Sequence, residues 1–510
     1  MSFEANLAKL KEQPDLIIII TDQERATQHF PPNWEQDNLH SLTFLKKNGF
    51  SFDRAFCNTC MCSPSRATLF TGTYPASHQV TQTLTWGGRY SPAEVTLDPT
   101  IFNLARMLQP KGYDVQYRGK WHLNKGVTEN GLTSADVALY GFMGWIPPDA
   151  GEDVKPENFG GGFANHDEAY VRQAVDYLQQ VKRRREKGDM RPYCLVLALV
   201  NPHDVLCYPN GTDYGYLPID WEQRLVTLPK TVDENLLLNK KPAPQFFANL
   251  GASALLGPLP NREDKLNYIN FYAHTLKKID REIGFFINEL YDQGPAGPRL
   301  ADSAIVFRLA DHGEMGMAHG GMRQKAFNAY EETLRIPFVV SNPLLFPDDG
   351  TERSTQHLAT LIDVMPTIAS LTNADTSAAD LKGVNLLPVI TEHKAVQEEI
   401  LFTFDDTKAG SPTQPSAVPS ANRVRCIRTP EWKYVYYFDA LGRYANQYEL
   451  YNLIADPDEY TNLAYEPEWQ AKREEMANRL AQLETEKLLL RQAAVTETEF
   501  WQWTAGQQRV

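Results

Sequence analysis

The sequence predicts a doubly wound α/β fold with a smaller α+β part at its end, and three apolar runs carry that prediction. Asp15-Leu16-Ile17-Ile18-Ile19-Ile20-Thr21-Asp22, residues 193–200 and residues 304–311 each read as a buried parallel strand. Each ends in residues that handle metals or protons: Asp22-Gln23, Asn201-Pro202-His203-Asp204 and Asp311-His312-Gly313. Open α/β sheets place ligand sites at the carboxyl ends of their strands. Between the strands, residues 167–187 and 264–293 have amphipathic helical spacing.

Past Leu386-Leu387-Pro388 the pattern changes. Residues 408–422 are rich in Ser, Pro and Ala and read as a loop. Residues 423–428 and 432–438 read as short strands about a Pro-Glu turn, and 467–493 as a charged amphipathic helix. The expected domains are 1–395, an α/β part that carries the chemistry, and 396–510, a C-terminal subdomain with a small antiparallel sheet and a terminal helix. No internal repeat is visible.

Composition narrows the function. The chain has 510 residues, 64 acidic against 50 basic side chains and a net charge of -14, which argues against general nucleic-acid binding. An anionic substrate then needs a local cluster of Arg, Lys and metal to outweigh the global field. The run Lys182-Arg183-Arg184-Arg185 sits at a predicted helix C-terminus and reads as a solvated helix end. Residues 1–14 lack a basic stretch followed by an apolar one, so no secretory signal is expected. The longest apolar runs are far too short to span a membrane. Six cysteines in so long a chain do not form a disulfide framework. Together these features predict a cytoplasmic protein.

The densest chemical signal is Cys62-Ser63-Pro64-Ser65-Arg66-Ala67-Thr68-Leu69-Phe70-Thr71-Gly72. Pro64 suits the first turn of a helix. Cys62 then stands at the helix N-terminus, where free N–H groups and the macrodipole favour negative charge. Arg66, four residues on, shares its face. A nucleophile and a fixed cation beside a developing oxyanion make a sound catalytic arrangement. The pairs Asp22-Gln23 and Asp311-His312 add two carboxylates, an amide oxygen and an imidazole, a set suited to a hard divalent cation. In Gly119-Lys120-Trp121-His122, an extended backbone would point Lys120 and His122 the same way.

The form Cys-x-Pro-Ser-Arg closed by Leu-x-Thr-Gly resembles the signature of the type I sulfatases of the alkaline phosphatase superfamily. The resemblance implies an alkaline-phosphatase-like α/β/α sandwich with a large mixed, mostly parallel sheet. It also implies that a maturation enzyme oxidises Cys62 to formylglycine (3-oxoalanine), whose hydrate attacks the sulfur of a small-molecule sulfate ester. Acidic pairs after the first strand and late in the α/β part supply the family's metal ligands, here Asp22, Gln23, Asp311 and His312 with the modified Cys62. The metal so implied is Ca²⁺, with Mn²⁺ or Mg²⁺ behind it. Many sulfatases have Asp-Asp and Asp-Asn at these places. Gln23 and His312 depart from that form and resemble the choline-sulfatase and phosphonate monoester hydrolase branches.

Lys120 and His122 match the second sulfatase signature, in which the lysine contacts sulfate and the histidine the nucleophile. His203, after a Pro near mid-chain, and Lys325, in Gln324-Lys325-Ala326, complete the match. The implied chemistry has Lys120, His203 and Lys325 hold the sulfate, Asp311 accept a proton, His203 or Lys325 protonate the leaving alcohol, and His122 act in release. The resemblance spans about residues 14–340. Glu449-Leu450-Tyr451-Asn452-Leu453, with Asp456-Pro457, Glu459 and Asn462-Leu463, looks like the family's closing motif.

Two rival functions remain: a phosphonate or phosphate ester hydrolase with the same site, and a non-catalytic metal-binding scaffold whose Cys62 stays a thiol. Cys57-x-x-Cys60 also allows a zinc or redox pair, though no second cysteine pair exists to complete a zinc site. His319 has no assigned role. Trp86, Tyr90, Trp121 and Tyr208 are candidates for an aromatic substrate pocket. Apolar groups in 467–493 and in Phe500-Trp501-Gln502-Trp503 suggest a homo-oligomer contact.

Overall fold

A computed structural model describes residues 7, 8, 10, 13–85, 94–126, 131–293, 299–409 and 416–489. Its strands, in chain order, are β1 (Asp15–Asp22), β2 (Gly49–Phe52), β3 (Ala55–Phe56), β4 (Asp114–Gly119), β5 (Tyr193–Pro202), β6 (Ala304–Ala310), β7 (Arg335–Ile336), β8 (Phe338–Ser341), β9 (Ser354–Thr355), β10 (Ala359–Thr360), β11 (Ile400–Phe404), β12 (Arg423–Arg428), β13 (Trp432–Phe438) and β14 (Gln447–Asn452). Five helices matter here: α1 (Cys62–Thr71), α2 (His166–Glu186), α3 (Ala243–Leu256), α4 (Arg262–Tyr291) and α5 (Gln470–Leu488).

The main sheet has the order β4-β5-β1-β6-β8-β2-β9. β4, β5, β1 and β6 run parallel, and β8 is antiparallel to both β6 and β2. Because β1 lies between β5 and β6, three distant runs end side by side. Asp22 is in register with Pro202, and Thr21 with Ala310. The polar residues that follow each strand therefore meet at one edge.

β1 explains itself through its side chains. Leu16, Ile18 and Ile20 face one core and Ile17 and Ile19 the other, all at 0–1% exposure. Burying each is worth roughly 1.5–3 kcal/mol, which favours a central strand with both faces covered. α2 and α4 cover one face through Tyr170, Val171, Ala174, Ile269 and Leu276. α1 lies on the other through Ala67, Leu69 and Phe70.

The four-stranded antiparallel sheet β11-β12-β13-β14 is not a free-standing unit. One face, with Phe402, Phe404, Val424, Cys426 and Val435, joins the core of the main sheet. The other, with Leu401, Ile427, Tyr434 and Leu450, receives Met476, Leu480 and Leu483 of α5. The apolar stripe of the terminal helix, expected as a homo-oligomer contact, packs on its own sheet through Met476, Leu480 and Leu483. Residues 500–503 lie outside the described residues.

Other expectations also change. The basic run at the end of α2 is not simply solvated. Lys182 pairs with Glu289 at 2.6 Å, Arg184 with Asp114 at 3.0 Å, and Arg185 with Asp15. Trp121 is fully buried against Tyr117, Tyr140 and Phe142, and Tyr208 packs on Trp221 and Tyr268, so both are core. Trp86 and Tyr90 lie outside the described residues. No described helix is long and apolar enough to cross a membrane.

Candidate active site

The carboxyl ends of β1 and β6 and the N-terminus of α1 converge on Cys62. Residues 62–71 are buried throughout, and Gly72 closes the helix in the left-handed region, φ 66°, with its N–H on the Thr68 carbonyl. A Cβ at Gly72 would come within 2.6 Å of Leu381, so a close approach as well as the turn requires glycine. Ser65 fixes α1 to β6 by donating its hydroxyl to the Asp311 carbonyl at 2.5 Å.

Asp22, Gln23, Arg66, Lys120, Asp311 and His312 are each 0% exposed. Arg66 is a fork. Its Nε donates to Asp311 Oδ2 at 3.0 Å, its Nη2 to Asp22 Oδ2 at 3.1 Å and its Nη1 to the Lys120 carbonyl at 2.9 Å. The sequence placed this cation beside a developing oxyanion. The structure spends its donors on two carboxylates and one carbonyl, so its work here is to hold those acids. Lys120 Nζ reaches Asp22 Oδ2 and the Gly151 carbonyl, both at 2.7 Å.

Burial disfavours the charged form of both acids, yet they separate. Lys120, His203, Arg66 and His312 hold the Asp22 carboxyl well below its usual range. Burial and the charge of Asp22 push Asp311 up to about 7. The Cys62 thiol lies 3.4 Å from Asp22 Oδ1 and 3.4 Å from His312 Nε2. Burial and Asp22 push it up to about 11 against the opposing pull of Lys120 and Lys325. At neutral pH it is a protonated thiol and a poor nucleophile.

The donor set suits a divalent cation. Asp22, Cys62, Asp311 and His312 each offer a ligand atom within 4.8 Å of the others. His312 Nδ1 faces the Gly313 carbonyl at 3.1 Å, which places the proton there and leaves Nε2 with a lone pair that accepts from the Cys62 thiol or can bind a metal. Gln23 Oε1 accepts from Lys325 Nζ at 2.5 Å and keeps a second lone pair. Among the described residues no other group of three His, Cys, Asp or Glu side chains is so placed.

His203 and His122 stand less directly on the cluster. Burial first, then Lys120 and Lys325, depresses His203 well below its ordinary value, and Asp22 opposes that shift. All three charges therefore lie near its ring. A buried knot sets its loop: Asp167 accepts from the Val200 and Asn201 N–H groups, and Asn201 Nδ2 also bonds Asp204. His122 breaks the expected extended geometry. Asp149 accepts the N–H of both Trp121 and His122, at 2.7 and 2.8 Å, and His122 adopts φ 58°. Its Nε2 lies 2.5 Å from the Leu84 carbonyl, while its Nδ1 is buried without a partner.

The remaining candidates are spent elsewhere. Cys57 and Cys60 are free thiols against the Thr333 and Lys325 carbonyls, and neither joins a metal cluster. His319 Nδ1 meets Glu234 at 2.7 Å and stacks on Tyr330. Sequence reasoning missed Glu314, which is fully buried and accepts from Gln23 Nε2 at 2.5 Å. Its only signal was its place three residues past Asp311.

Comparison with known proteins places the chain among sulfatases. The Sulfatase family model matches residues 14–374, and a model for the C-terminal part of N-sulphoglucosamine sulphohydrolase matches 319–486. An ulvan-active sulfatase of Formosa agariphila is 24% identical over 483 residues, 92% of this chain and 80% of that protein. Among solved structures, a 2-O GAG sulfatase superposes with a TM-score of 0.71 at 22% identity, covering 93% of this chain and 92% of the other. The phosphonate monoester hydrolase of Agrobacterium radiobacter gives 0.65 at 19% identity, covering 95% and 99%. These superpositions show that the fold is the alkaline-phosphatase-like α/β architecture.

Proposed function

The chain belongs to the sulfatase family and is a sulfuric ester hydrolase, and we propose that it cleaves sulfate monoesters at Cys62 once that residue has been oxidised to formylglycine. The observation that carries this reading is the seat of Cys62. Its sulfur sits against Asp22 and His312, with Lys120 and Arg66 completing the ring of charge. As a thiol it is held protonated. The hydrated aldehyde supplies the hydroxyl nucleophile that the thiol does not.

Asp22, Gln23, Asp311 and His312 would hold a divalent cation: Ca²⁺ by the family resemblance, with the His312 imidazole also suiting Mn²⁺. When bound, the cation polarises sulfate oxygens and lowers the pKa of a coordinated hydroxyl. The protein's own groups do the rest. Lys120 and Lys325 bring positive charge to the substrate anion, and Arg66 keeps the two carboxylates apart and in place. Asp311, ionised when the cation is bound, would take the proton of the nucleophile. His203 or Lys325 would protonate the leaving oxygen, and burial with the charge of Lys120 lowers the His203 pKa, which weighs towards Lys325. His122 keeps a free Nδ1 beside Lys120 and serves in release.

Relatives named for ulvan and GAG sulfates make sulfated carbohydrates the first substrates to test. All six cysteines are buried and free, which supports residence in a reducing compartment. The decisive measurement is the mass of the proteolytic peptide that carries Cys62, from protein made alongside an active maturation enzyme. An aldehyde or hydrate mass supports the proposal, and an unmodified thiol there removes the nucleophile.

A further inference from the structure

Gln23 occupies an expensive position. It adopts φ 69°, the left-handed region that disfavours side chains with a Cβ. Its backbone is pinned on both sides: its N–H donates to Asp311 Oδ1 at 3.1 Å, and its carbonyl accepts from Tyr272 OH at 2.8 Å. Its side chain is buried, so the primary amide has no water to fall back on. An amide has two unlike ends, an oxygen that only accepts and a nitrogen that only donates.

Both ends are answered. Nε2 donates to Glu314 Oε2 and Oε1 accepts from Lys325 Nζ, each at 2.5 Å. A flipped amide would set its NH₂ against the Lys325 ammonium and its oxygen against the Glu314 carboxylate. Both contacts would be repulsive. Glu314 in turn is held by donors alone. Its Oε1 accepts from Tyr268 OH at 2.7 Å, the Gln324 N–H at 3.0 Å and the Gly316 N–H at 3.3 Å. No ammonium or guanidinium pairs with this carboxylate within 4 Å among the described residues.

We propose that Glu314 is a positioning residue, which through Gln23 Nε2 fixes the amide so that Gln23 Oε1 is presented to Lys325 and to the cation cluster of Asp22, Asp311 and His312. A neutral amide at position 23 brings no charge of its own. The Glu314 carboxylate stands one hydrogen bond behind it, polarises it and restores a negative group at one remove. The inference rests on the divalent-cation reading of the cluster.

The test is calorimetric titration of chelator-stripped protein with Ca²⁺ and, separately, Mn²⁺, with melting curves recorded without metal. Glu314→Gln can flip the amide pair and should raise the cation Kd roughly 10- to 100-fold, the usual effect of losing an outer partner of a metal ligand. Its metal-free melt should stay close to wild type. Because the effect runs through Gln23, Gln23→Ala and the double variant Gln23→Ala/Glu314→Gln should share one Kd. Should Glu314→Gln fail to fold, Tyr268→Phe removes one donor to Glu314 and should raise Kd by a smaller factor of the same sign. An unchanged Kd in the variant that folds overturns the inference, as does an additive double variant. A wild-type protein that takes up neither cation overturns the metal reading itself, and this inference with it.

Discussion

Two buried clusters of charge in this protein look alike in sequence and behave differently in space. One surrounds Cys62. The other joins Glu331, Glu332 and Glu459 to Arg428, Lys433 and His29. In the second, every acid meets a basic side chain. Glu331 takes Lys433 at 3.0 Å and Arg428 at 3.3 Å, Glu459 takes Lys433 at 2.6 Å, and Glu332 takes His29 at 2.5 Å. Burial pushes Glu459 up to about 8 against the pull of Lys433. Around Cys62 the valences stay open. Lys325 meets an amide oxygen and no carboxylate among the described residues, and His312 and Asp311 turn donor atoms towards one point. Burial and perturbed pKa values mark both clusters, so they do not identify a site. Unspent donors and acceptors aimed at one centre do.

That distinction predicts opposite responses to mutation. Cys62→Ala should lower turnover on a sulfate ester by on the order of 10⁴ or more, as for loss of a nucleophile, with little change in the melting temperature. Lys433→Met should do the reverse. Leaving Glu459 without its cation and Glu331 with Arg428 alone should lose ~3–5 kcal/mol of stability, read as a lower denaturant midpoint, with kcat per folded molecule unchanged. A Lys433→Met enzyme of normal stability and poor kcat would erase the contrast. Lys325→Met should lower kcat by about 10²–10³, the scale of a lost charge-stabilising donor. It should leave stability near wild type, because it removes a buried cation that has no counter-charge.

The smallest effect is in pH. Asp311's folded pKa is raised to about 7, so the folded chain holds a proton there that the unfolded chain releases near pH 4. The stability owed to that proton is present at low pH and lost as pH rises through 7. A cation must displace it, so Ca²⁺ affinity should fall about tenfold per pH unit below 7 and level off above. Asp311→Asn should flatten that limb in a titration of Kd against pH.

The sequence shows β1, β5 and β6 plainly, because each is an unbroken apolar run with a polar end. It shows Cys62, Asp22 and Asp311 for the same reason, since they stand at the ends of legible elements. It is silent where position depends on pairing. Glu314 meets Gln23 across 291 positions, and nothing in a Gly- and Met-rich loop announces that contact. His122 looked parallel to Lys120 until Asp149 took two successive N–H groups and turned the chain. Arg66 reads as a cation beside a developing oxyanion, because its carboxylate partners Asp22 and Asp311 arrive from the distant ends of β1 and β6. The terminal helix showed an apolar stripe, and only the fold says that the C-terminal sheet already covers it.

The burial of α1 sets a clock. Cys62 is 3% exposed, and its whole helix is sealed once β6 lies beside β1. If Cys62 is oxidised as proposed, an enzyme that must reach its sulfur would act before that strand arrives. About 240 residues separate Cys62 from the start of β6, which at ordinary synthesis rates is roughly 10–50 seconds. Under the proposed maturation of Cys62, slower translation between these two points should raise the fraction of molecules that carry the aldehyde, read as the peptide mass of Cys62.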